Sequence, residues 1–362
     1  MNTKLKNLIF TFIIISILLI ILLFYLQISL AEATSVVFNG LFEKPQYLST
    51  VLIKACPIIL TGLSVALAMQ VGLFNLGAEG QYIFGAIFST LAGVYFNYPP
   101  IIQIPLIIAI GSLAGGILGY FIAKLKFKFH IHEVLSSIMF NWIALNLQNY
   151  FVLNSFIKKD FSETSQNIHP NGSLVMLKDF KLSQEGLDFF SQYPFWQSFF
   201  KPSFHYGFFW AVLATIILLL YLYYTPGGIR LRMIGKSLKA SQYVGIHVEA
   251  KSALFMSLSG MLAASAGAIT VMGFTQNISV LSLMEGNGFD GLSASLIGFF
   301  NPLFVFIASI FLAALKYSGQ KLQAILEMPS EISQLIIGLI ILCLSIPKFT
   351  FKTNFKFKYK KD

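Results

Sequence analysis

The sequence predicts an all-α protein that crosses a membrane about ten times. Hydrophobic residues make up 56% of the 362 residues and charged residues only 11%, which leaves too little polar surface to cover a water-soluble globule of this size. Apolar runs of about 20 residues recur along the chain, and each is long enough to cross a hydrocarbon core of about 30 Å as a helix. We therefore expect a polytopic helical bundle.

The order of the apolar runs gives the expected topology. A short basic start is followed by the apolar run 8–30, which we interpret as a retained first span with the amino terminus inside. The region 288–316 contributes two crossings if a short helix ends near Asn301-Pro302 and a longer one follows. The crossing number is then even, and both termini are cytoplasmic. The other spans are expected at about 47–71, 82–96, 101–125, 133–156, 206–224, 250–271 and 332–346.

The net charge of +10 lies mainly in loops and tails. The positive-inside rule explains this distribution better than a nucleic-acid partner does. The basic tail 347–362 is placed in the cytosol, and residues 157–205, whose charges balance, are expected to form an extracytoplasmic loop with aromatic residues against the membrane interface. We treat residues 1–362 as a single transmembrane domain. Cys56 and Cys343 both lie in apolar segments, so neither a disulfide framework nor a metal site is expected.

A polar stretch at residues 72–81 interrupts the apolar sequence with three glycines and with Asn75, Glu79 and Gln81. Irregular backbone at membrane depth occurs only where it is buried in protein or lines a watery cavity, and an ionisable residue there indicates function. The alternative is a short polar turn at the water interface with a hydrated Glu79. The residues alone leave both interpretations open.

A second stretch, residues 285–291, repeats this composition, because glycines again flank the acids Glu285 and Asp290. Two acid-bearing glycine breaks, one in each half, are typical of transporters in which broken or short helices surround the binding site. The pattern is consistent with a 5+5 internal repeat. An ion-coupled secondary transporter would use Glu79 and Asp290 as ion or proton sites.

The most basic internal segment, residues 229–246, has apolar residues at helical spacing. This pattern predicts a short amphipathic helix on the cytosolic surface. Such a helix lies on lipid headgroups or docks in the groove of a partner protein.

Several stretches together resemble the permease subunits of bacterial ATP-binding-cassette importers of the simple-sugar and branched-chain amino-acid class, nucleoside branch. Residues 72–81 read GLFNLGAEGQ and depart from the GLFNIGAEGQ signature of that branch only at Leu76. The segment EVLSSIMFN at 133–141 resembles its EVISTIMLN segment. GFDGL at 288–292, with LIG at 296–298 and the following Asn301-Pro302, resembles its GFDGI, LLG and NP elements.

The resemblance implies that residues 229–246 are the coupling helix that docks on a separate cytosolic ATPase. Relatives usually read G-x-N-P-E-A-A-x-Y-A-G-I there. Lys239 stands where relatives have an acid, so a partner with compensating acids is expected. No phosphate-binding loop of the G-x4-G-K-[ST] type is present, so this chain is expected to be non-enzymatic, with ATP bound by the partner and no cofactor of its own. The residues that match are Gly235, Ala240, Tyr243, Gly245 and Ile246.

The resemblance also implies a second permease subunit, which we expect to be a different chain, an external substrate-binding lipoprotein, and a place in the bacterial cell membrane. A nucleoside has an aromatic base and a hydroxyl-rich ribose, so its path needs stacking surfaces together with uncharged donors and acceptors. A simple sugar is the other substrate class. Helix capping is the alternative role for the acids, and ordinary packing for the phenylalanines. The candidate path residues are Phe74, Asn75, Glu79, Gln81, Asn141, Phe289 and Asp290.

Overall fold

The computed structural model describes residues 38–154 and 156–326, together with positions 35, 334, 335, 338, 339 and 341. The expected first span and the basic tail 347–362 lie outside the described residues, as does the last span apart from those single positions. The chain divides into two compact units. One joins Met1–Lys44 with Ala314–Asp362, and the other, here called the larger unit, is Pro45–Ala313.

The described ranges are helical and contain no named strand, which confirms the all-α prediction. Three isolated β-bridges occur between extended segments. The helices are α1 (Pro45–Gln70), α2 (Ala78–Tyr95), α3 (Pro100–Phe129), α4 (Glu133–Asn154), α5 (Gln184–Gln192), α6 (Pro194–Phe200), α7 (Gly207–Tyr224), α8 (Pro226–Lys236), α9 (Leu238–Tyr243), α10 (Val248–Thr270), α11 (Asn287–Ile297) and α12 (Pro302–Leu326).

Five of the described helices are long and apolar enough to cross a membrane: α1, α3, α7, α12, and α10 with its extension to Thr275. Helices α2 and α4 are of comparable length but carry more polar residues, and many of these are buried. The count of ten crossings and the 5+5 repeat stay predictions.

Helix α10 is the centre of the larger unit and packs against α1, α2 and α3. Its contact with α3 is made by glycines: a Cβ atom on Gly260 would lie 2.2 Å from the carbonyl oxygen of Gly115. Real Cβ atoms do not approach an oxygen so closely, so only glycine lets the two backbones touch. Small residues at such helix contacts allow membrane helices to pack closely.

The break between α11 and α12 matches the prediction for residues 288–316. A short helix ends at Ile297, residues 298–301 are non-helical, and the longer helix begins at Pro302. Proline at the first helical position is favourable, because its missing N–H would be unpaired there anyway.

Two sequence-based boundaries are corrected. The span expected to end at about residue 125 instead continues as α3 to Phe129, and its C-cap residue, His130, is in the left-handed conformation (φ 56°). Lysines in a last helical turn interact favourably with the helix dipole. The single amphipathic helix expected at 229–246 is instead two helices, α8 and α9. They are separated at Ser237, whose backbone is extended. Its hydroxyl oxygen caps α9 by accepting a hydrogen bond from the Ala240 N–H. Serine favours such a cap over a helix interior.

The segment 156–205 is folded against the chain that follows α10. After a π-helical turn at Val271–Thr275, residues 276–281 run alongside the segment. Backbone hydrogen bonds join Ser165 N–H to the Ile278 carbonyl (2.8 Å) and Val280 N–H to the Glu163 carbonyl (2.9 Å). These bonds fix the segment against residues 276–281 within the larger unit.

His205 ends this segment and is only 2% exposed. Its Nδ1 atom accepts a hydrogen bond from the Gly207 N–H (3.1 Å) at the start of α7. Burial lowers the pKa of His205 to about 4, because an imidazolium would lose its hydration there. The side chain is therefore neutral in the folded protein at neutral pH.

We expect acid to destabilise the larger unit through His205. Between pH 6.5 and pH 4 the unfolded chain binds a proton at this position that the folded chain does not, so stability falls as the pH falls and is unaffected above about pH 7. The full effect is roughly 3 kcal/mol. Thermal unfolding of the purified protein in detergent at pH 7.5 and pH 4.5 measures it.

The informative variant is His205→Asn, because the Asn Oδ1 atom replaces Nδ1 as the acceptor for Gly207 and does not titrate. Its melting temperature should fall less between the two pH values than that of the unmodified chain. His130→Asn is the matched control, since His130 is exposed and Asn tolerates its positive φ. Equal acid sensitivity of all three proteins would contradict this account.

Candidate functional site

The glycine-rich stretch 72–81 forms the turn between α1 and α2. The chain turns at Gly72, whose φ of 73° suits glycine. The Leu73 N–H donates a hydrogen bond to the Ala68 carbonyl oxygen at the end of α1. Asn75 then orders the approach to α2, because its Oδ1 atom accepts the Gly77 N–H (3.1 Å). The irregular backbone of this stretch is thus fixed by its own side chains.

A buried polar cluster joins this turn to α1 and α10. The Asn75 Nδ2 atom donates to Gln81 Oε1 (2.8 Å), to Ser259 Oγ (2.8 Å) and to Ser64 Oγ (3.2 Å). The two serine hydroxyls are 2.9 Å apart, and Ser259 also donates to the Ser64 carbonyl. All four side chains are fully buried. Hydrogen bonds in such surroundings fix the helices relative to one another, since breaking one leaves a buried polar group unpaired.

The Gln81 Nε2 group is the exception in this cluster. It is buried and has no hydrogen-bond acceptor among the described residues. An unpaired buried amide costs free energy, and such groups often mark functional positions. The NH2 group of Gln81, with its two N–H donors, is therefore unused in this cluster.

Asn141 of α4 fixes the first turn of α2. Its Oδ1 atom accepts the Gly80 N–H (2.8 Å), and its Nδ2 atom donates to the Leu76 carbonyl (2.9 Å). A Cβ atom on Gly80 would lie 2.7 Å from that Oδ1 atom, so glycine is required at this position. The amide thus satisfies one orphan N–H of the helix terminus and one carbonyl of the preceding turn.

Glu79 connects the two glycine-rich stretches. Its Oε1 atom accepts the Gly286 N–H (2.8 Å), and its Oε2 atom accepts the Gly288 N–H. These N–H groups belong to the amino terminus of α11, where the helix dipole favours a negative charge. Gly288 also packs directly on α2, since a Cβ atom there would lie 2.3 Å from the Glu79 nitrogen. The two stretches, about 200 residues apart in sequence, therefore form one site.

Two residues outside the glycine-rich stretches, Tyr82 and Thr61, make further contacts at the α11 terminus. Tyr82 donates its hydroxyl to Glu285 Oε2 (2.8 Å), and Asn287 donates to the same oxygen. The Thr61 hydroxyl of α1 lies between two carbonyl acceptors, Pro57 of its own helix (2.7 Å) and Asn287 (2.9 Å). Thr61, like Ser64 and Ser259, is a small polar residue inside an apolar run. Its position alone gave no signal, because such hydroxyls commonly bond to their own helix.

The predicted path residues fall into two groups. Asn75, Glu79, Gln81 and Asn141 are fully or almost fully buried and bonded within the chain. Phe289 is 41% exposed in the first turn of α11, beside the half-buried Asp290, and Phe74 is half-buried. The structure thus brings the buried group together, with Phe289 and Asp290 adjacent to the glycine that Glu79 binds. Among the described residues, no cluster of three or more metal-ligating side chains occurs.

The predicted coupling residues lie on α8 and around α9. Gly235 near the end of α8 packs on the end of α1: a Cβ atom on Gly235 would lie 2.4 Å from the Gln70 carbonyl oxygen, and one on Gly72 would lie 3.6 Å from the Gly235 Cα. The segment that follows projects outward. Lys239, Ala240, Tyr243 and Gly245 are exposed, and Ile246 is half-buried.

Comparison with known families identifies the architecture. A family described as "Branched-chain amino acid transport system / permease component" matches residues 47–345. The chain belongs to this permease family. The matched range contains both glycine-rich stretches and residues 229–246, so every candidate residue of the permease lies inside it.

Similar curated proteins are permeases of ABC transporters. The guanosine ABC transporter permease protein NupP of Bacillus subtilis is 32% identical over 87% of this chain and 85% of its own length. The nucleoside ABC transporter permease protein NupB of Lactococcus lactis is 27% identical over 80% and 76%. The glucose ABC transporter permease protein TsgB13 of Haloferax volcanii is 25% identical over 90% and 82%. No solved structure matches the chain significantly.

We expect Glu79→Gln to destabilise the permease. The Gln side chain has one acceptor oxygen for two N–H groups, places its own amide donor against the second, and loses the charge that favours the helix terminus. The combined cost is about 2 kcal/mol, which lowers the melting temperature in detergent by several degrees. Glu249→Gln is the matched control, because Glu249 is an exposed acid in the first turn of α10. A melting temperature equally unaffected in both variants would refute the bridging role of Glu79.

Proposed function

We propose that this permease is the transmembrane subunit of an ATP-driven importer that takes up nucleosides. Its family and its similarity to the guanosine and nucleoside permeases support this proposal. The structural observation that carries it is the contact between Gly235 and the Gln70–Gly72 turn. Through this contact, helix α8, which precedes the exposed segment 237–246, lies directly against the start of the glycine-rich stretch 72–81. That stretch leads to the polar cluster around Asn75.

The proposed docking surface is the exposed segment 237–246 with the end of α8. Tyr243 is 92% exposed and Val244 is 68% exposed, which is unusual for large apolar side chains unless a partner covers them. Lys236 and Lys239 are exposed beside them. A cleft of about 530 Å³ opens between Gln242 and Ala250. This combination fits an apolar groove with acidic residues on an ATPase subunit.

The proposed substrate path runs along the site where the two glycine-rich stretches meet. Phe289 and Phe74 supply surfaces on which a base stacks, and Asp290 supplies a polar contact. The buried Asn75, Glu79, Gln81 and Asn141 hold this surface in place, and the unused Gln81 donor is available when the cluster opens. Such a path binds weakly enough to release its cargo because few of its polar groups are free.

The complete importer has further parts. We propose a second permease that differs from this chain, an external substrate-binding lipoprotein, and ATPase subunits that bind the ATP, while this chain is non-enzymatic, holds no cofactor and binds no nucleic acid. It lies in the cytoplasmic membrane of a bacterium with both termini cytoplasmic, residues 157–205 outside and 229–246 inside. The similarity to a glucose permease keeps a simple sugar as the second substrate class.

An ion-coupled mechanism is less well supported. It needs a carboxylate that binds an ion or exchanges a proton, whereas both oxygens of Glu79 accept backbone N–H groups. The relatives are, moreover, named as ABC transporter permeases. Uptake that stops when the ion gradient is dissipated while ATP is maintained would favour ion coupling over this proposal.

We expect Tyr243→Ala to weaken association with the ATPase roughly tenfold, since buried tyrosines are frequent anchors of interfaces. Copurification of the co-expressed ATPase with tagged permease measures this. Tyr95→Ala is the matched control, because Tyr95 is 72% exposed at the opposite end of α2 from the glycine-rich stretch.

A second pair of variants tests the same surface. Gly245 has φ 80° with no neighbouring atom within 4 Å of an added Cβ. Asn tolerates this conformation, so Gly245→Asn should retain the ATPase, whereas the bulk and backbone strain of Gly245→Arg should remove it. ATPase retained by both Tyr243→Ala and Gly245→Arg would exclude this docking surface.

We expect Phe289→Ala to reduce nucleoside uptake without loss of stability. Removing one stacking surface lowers uptake at subsaturating substrate by roughly tenfold, as measured with labelled nucleoside in cells that express the whole transporter. Phe304→Ala is the matched control, because Phe304 is similarly exposed on α12.

Asn75→Ala tests the buried cluster, and its uptake is measured in cells that express it at the level of the unmodified permease. Full uptake by both Phe289→Ala and Asn75→Ala would remove the glycine-rich stretches from the path.

A further inference from the structure

A second site lies away from the glycine-rich stretches, in the segment 156–205. A cavity of about 520 Å³ opens there between α5, α6 and the first turn of α1. Its wall is part apolar, from Leu187, Phe190 and Phe200, and part polar, from two lysines and from the carboxamides of Gln46 and Gln197. Such a lining suits a ligand with a charged head and an apolar body.

The charge of the cavity is positive. Lys181 and Lys201 both line it, and no carboxylate is among its lining residues in the described chain. The two acids of α5, Glu185 and Asp188, are both exposed and lie outside this lining. The cavity therefore complements an anion.

Lys181 is held in place for this role. Its ammonium group donates to the Phe200 carbonyl (2.6 Å) at the end of α6 and lies 6.0 Å from the centre of the Phe200 ring. An ammonium group has three N–H donors, so this bond positions the group and leaves others for a ligand. Partial burial of the Lys181 ammonium group removes some of its hydration and lowers its pKa. A bound anion compensates such a loss of hydration.

The cavity lies next to the first residues of two helices that can cross a membrane. Gln46 is the second residue of α1, and Lys201 precedes the start of α7 by six residues. Both α1 and α7 have the length and composition of membrane-crossing helices, so their first residues lie at the level of the lipid headgroups. Phe195 and Trp196 of α6 are both about half exposed beside the cavity. Aromatic residues of this kind concentrate at membrane interfaces.

A row of aromatic rings connects the cavity to α7. The rings of Phe200, Phe204 and Phe208 follow one another at centroid distances of 6.1 Å, and Phe204, in the middle, is buried. Helix α7 exposes Phe209, Leu213 and Leu220 along its length. Acyl chains next to the cavity would thus lie against apolar side chains.

We propose that this cavity binds the headgroup of an anionic phospholipid, with the phosphate between Lys181 and Lys201 and the acyl chains along α7. The site is separate from the substrate path and does not depend on which solute is transported. It holds for either orientation of the chain, because both leaflets of a bilayer present phosphate at this depth.

The test uses Trp196 as a reporter in the full-length chain in lipid nanodiscs. Trp142→Phe and Trp210→Phe leave Trp196 as the sole tryptophan, and its fluorescence is quenched by brominated phosphatidylglycerol or brominated phosphatidylcholine with the same acyl chains. Each lysine near the headgroups favours an anionic lipid by about fivefold. We therefore expect phosphatidylglycerol to quench at a mole fraction more than tenfold lower than phosphatidylcholine.

Variants separate a built site from general surface charge. Lys201→Gln alone should reduce the preference about fivefold without changing the melting temperature, because Lys201 is exposed. The double variant Lys181→Gln/Lys201→Gln should abolish the preference. The matched control Lys158→Gln/Lys159→Gln removes two exposed lysines from the same segment and should leave the preference intact.

Three results would overturn the proposal. The first is equal quenching of the unmodified reporter by both lipids. The second is an equal loss of preference in the control, which would assign the effect to overall charge. The third is shielding of Trp196 by the purified external binding protein in the absence of any lipid preference, which would assign the cavity to that protein.

Discussion

The pairing of the Glu79 carboxylate with the amino terminus of α11 joins the two glycine-rich stretches of the larger unit. A buried carboxylate is costly unless it is hydrogen-bonded, and an uncapped helix terminus leaves N–H groups unpaired. The pairing removes both costs, because the two oxygens of Glu79 accept hydrogen bonds from the N–H groups of Gly286 and Gly288. The first turn of α2 is thereby fixed to α11, and the two glycine-rich stretches become one structural element.

The glycines around this pairing all allow a neighbouring helix or side chain to come close to the main chain. Gly80 makes room for Asn141, and Gly288 makes room for Glu79. The same principle brings α3 against α10 through Gly115 and Gly260. In a membrane, where lipid offers no hydrophobic drive toward helix association, close contact and interhelical hydrogen bonds supply much of the stability. The polar cluster around Asn75 and the glycine contacts therefore support the same packing of α1, α2, α3 and α10.

The sequence predicted the helical class, the two glycine-rich stretches and the break before Pro302, because each leaves a local signature. It also selected Asn75, Glu79, Gln81 and Asn141, which the structure brings into one buried region. It did not predict that Glu79 reaches α11, since a contact across about 200 residues has no local pattern. Ser64, Ser259 and Thr61 were missed because a hydroxyl in an apolar helix looks the same whether it bonds to its own backbone or across helices. The boundary at Ser237 was missed because a serine cap and a continued amphipathic helix have similar compositions.

The contact between Gly72 and Gly235 joins two pieces of main chain without a side chain between them. Because glycine has no side chain, this contact contains no rotamers that could rearrange and no side chains that would have to separate. Because the two backbones are in direct contact, a displacement of α8 would move the end of α1 without first rearranging a side chain.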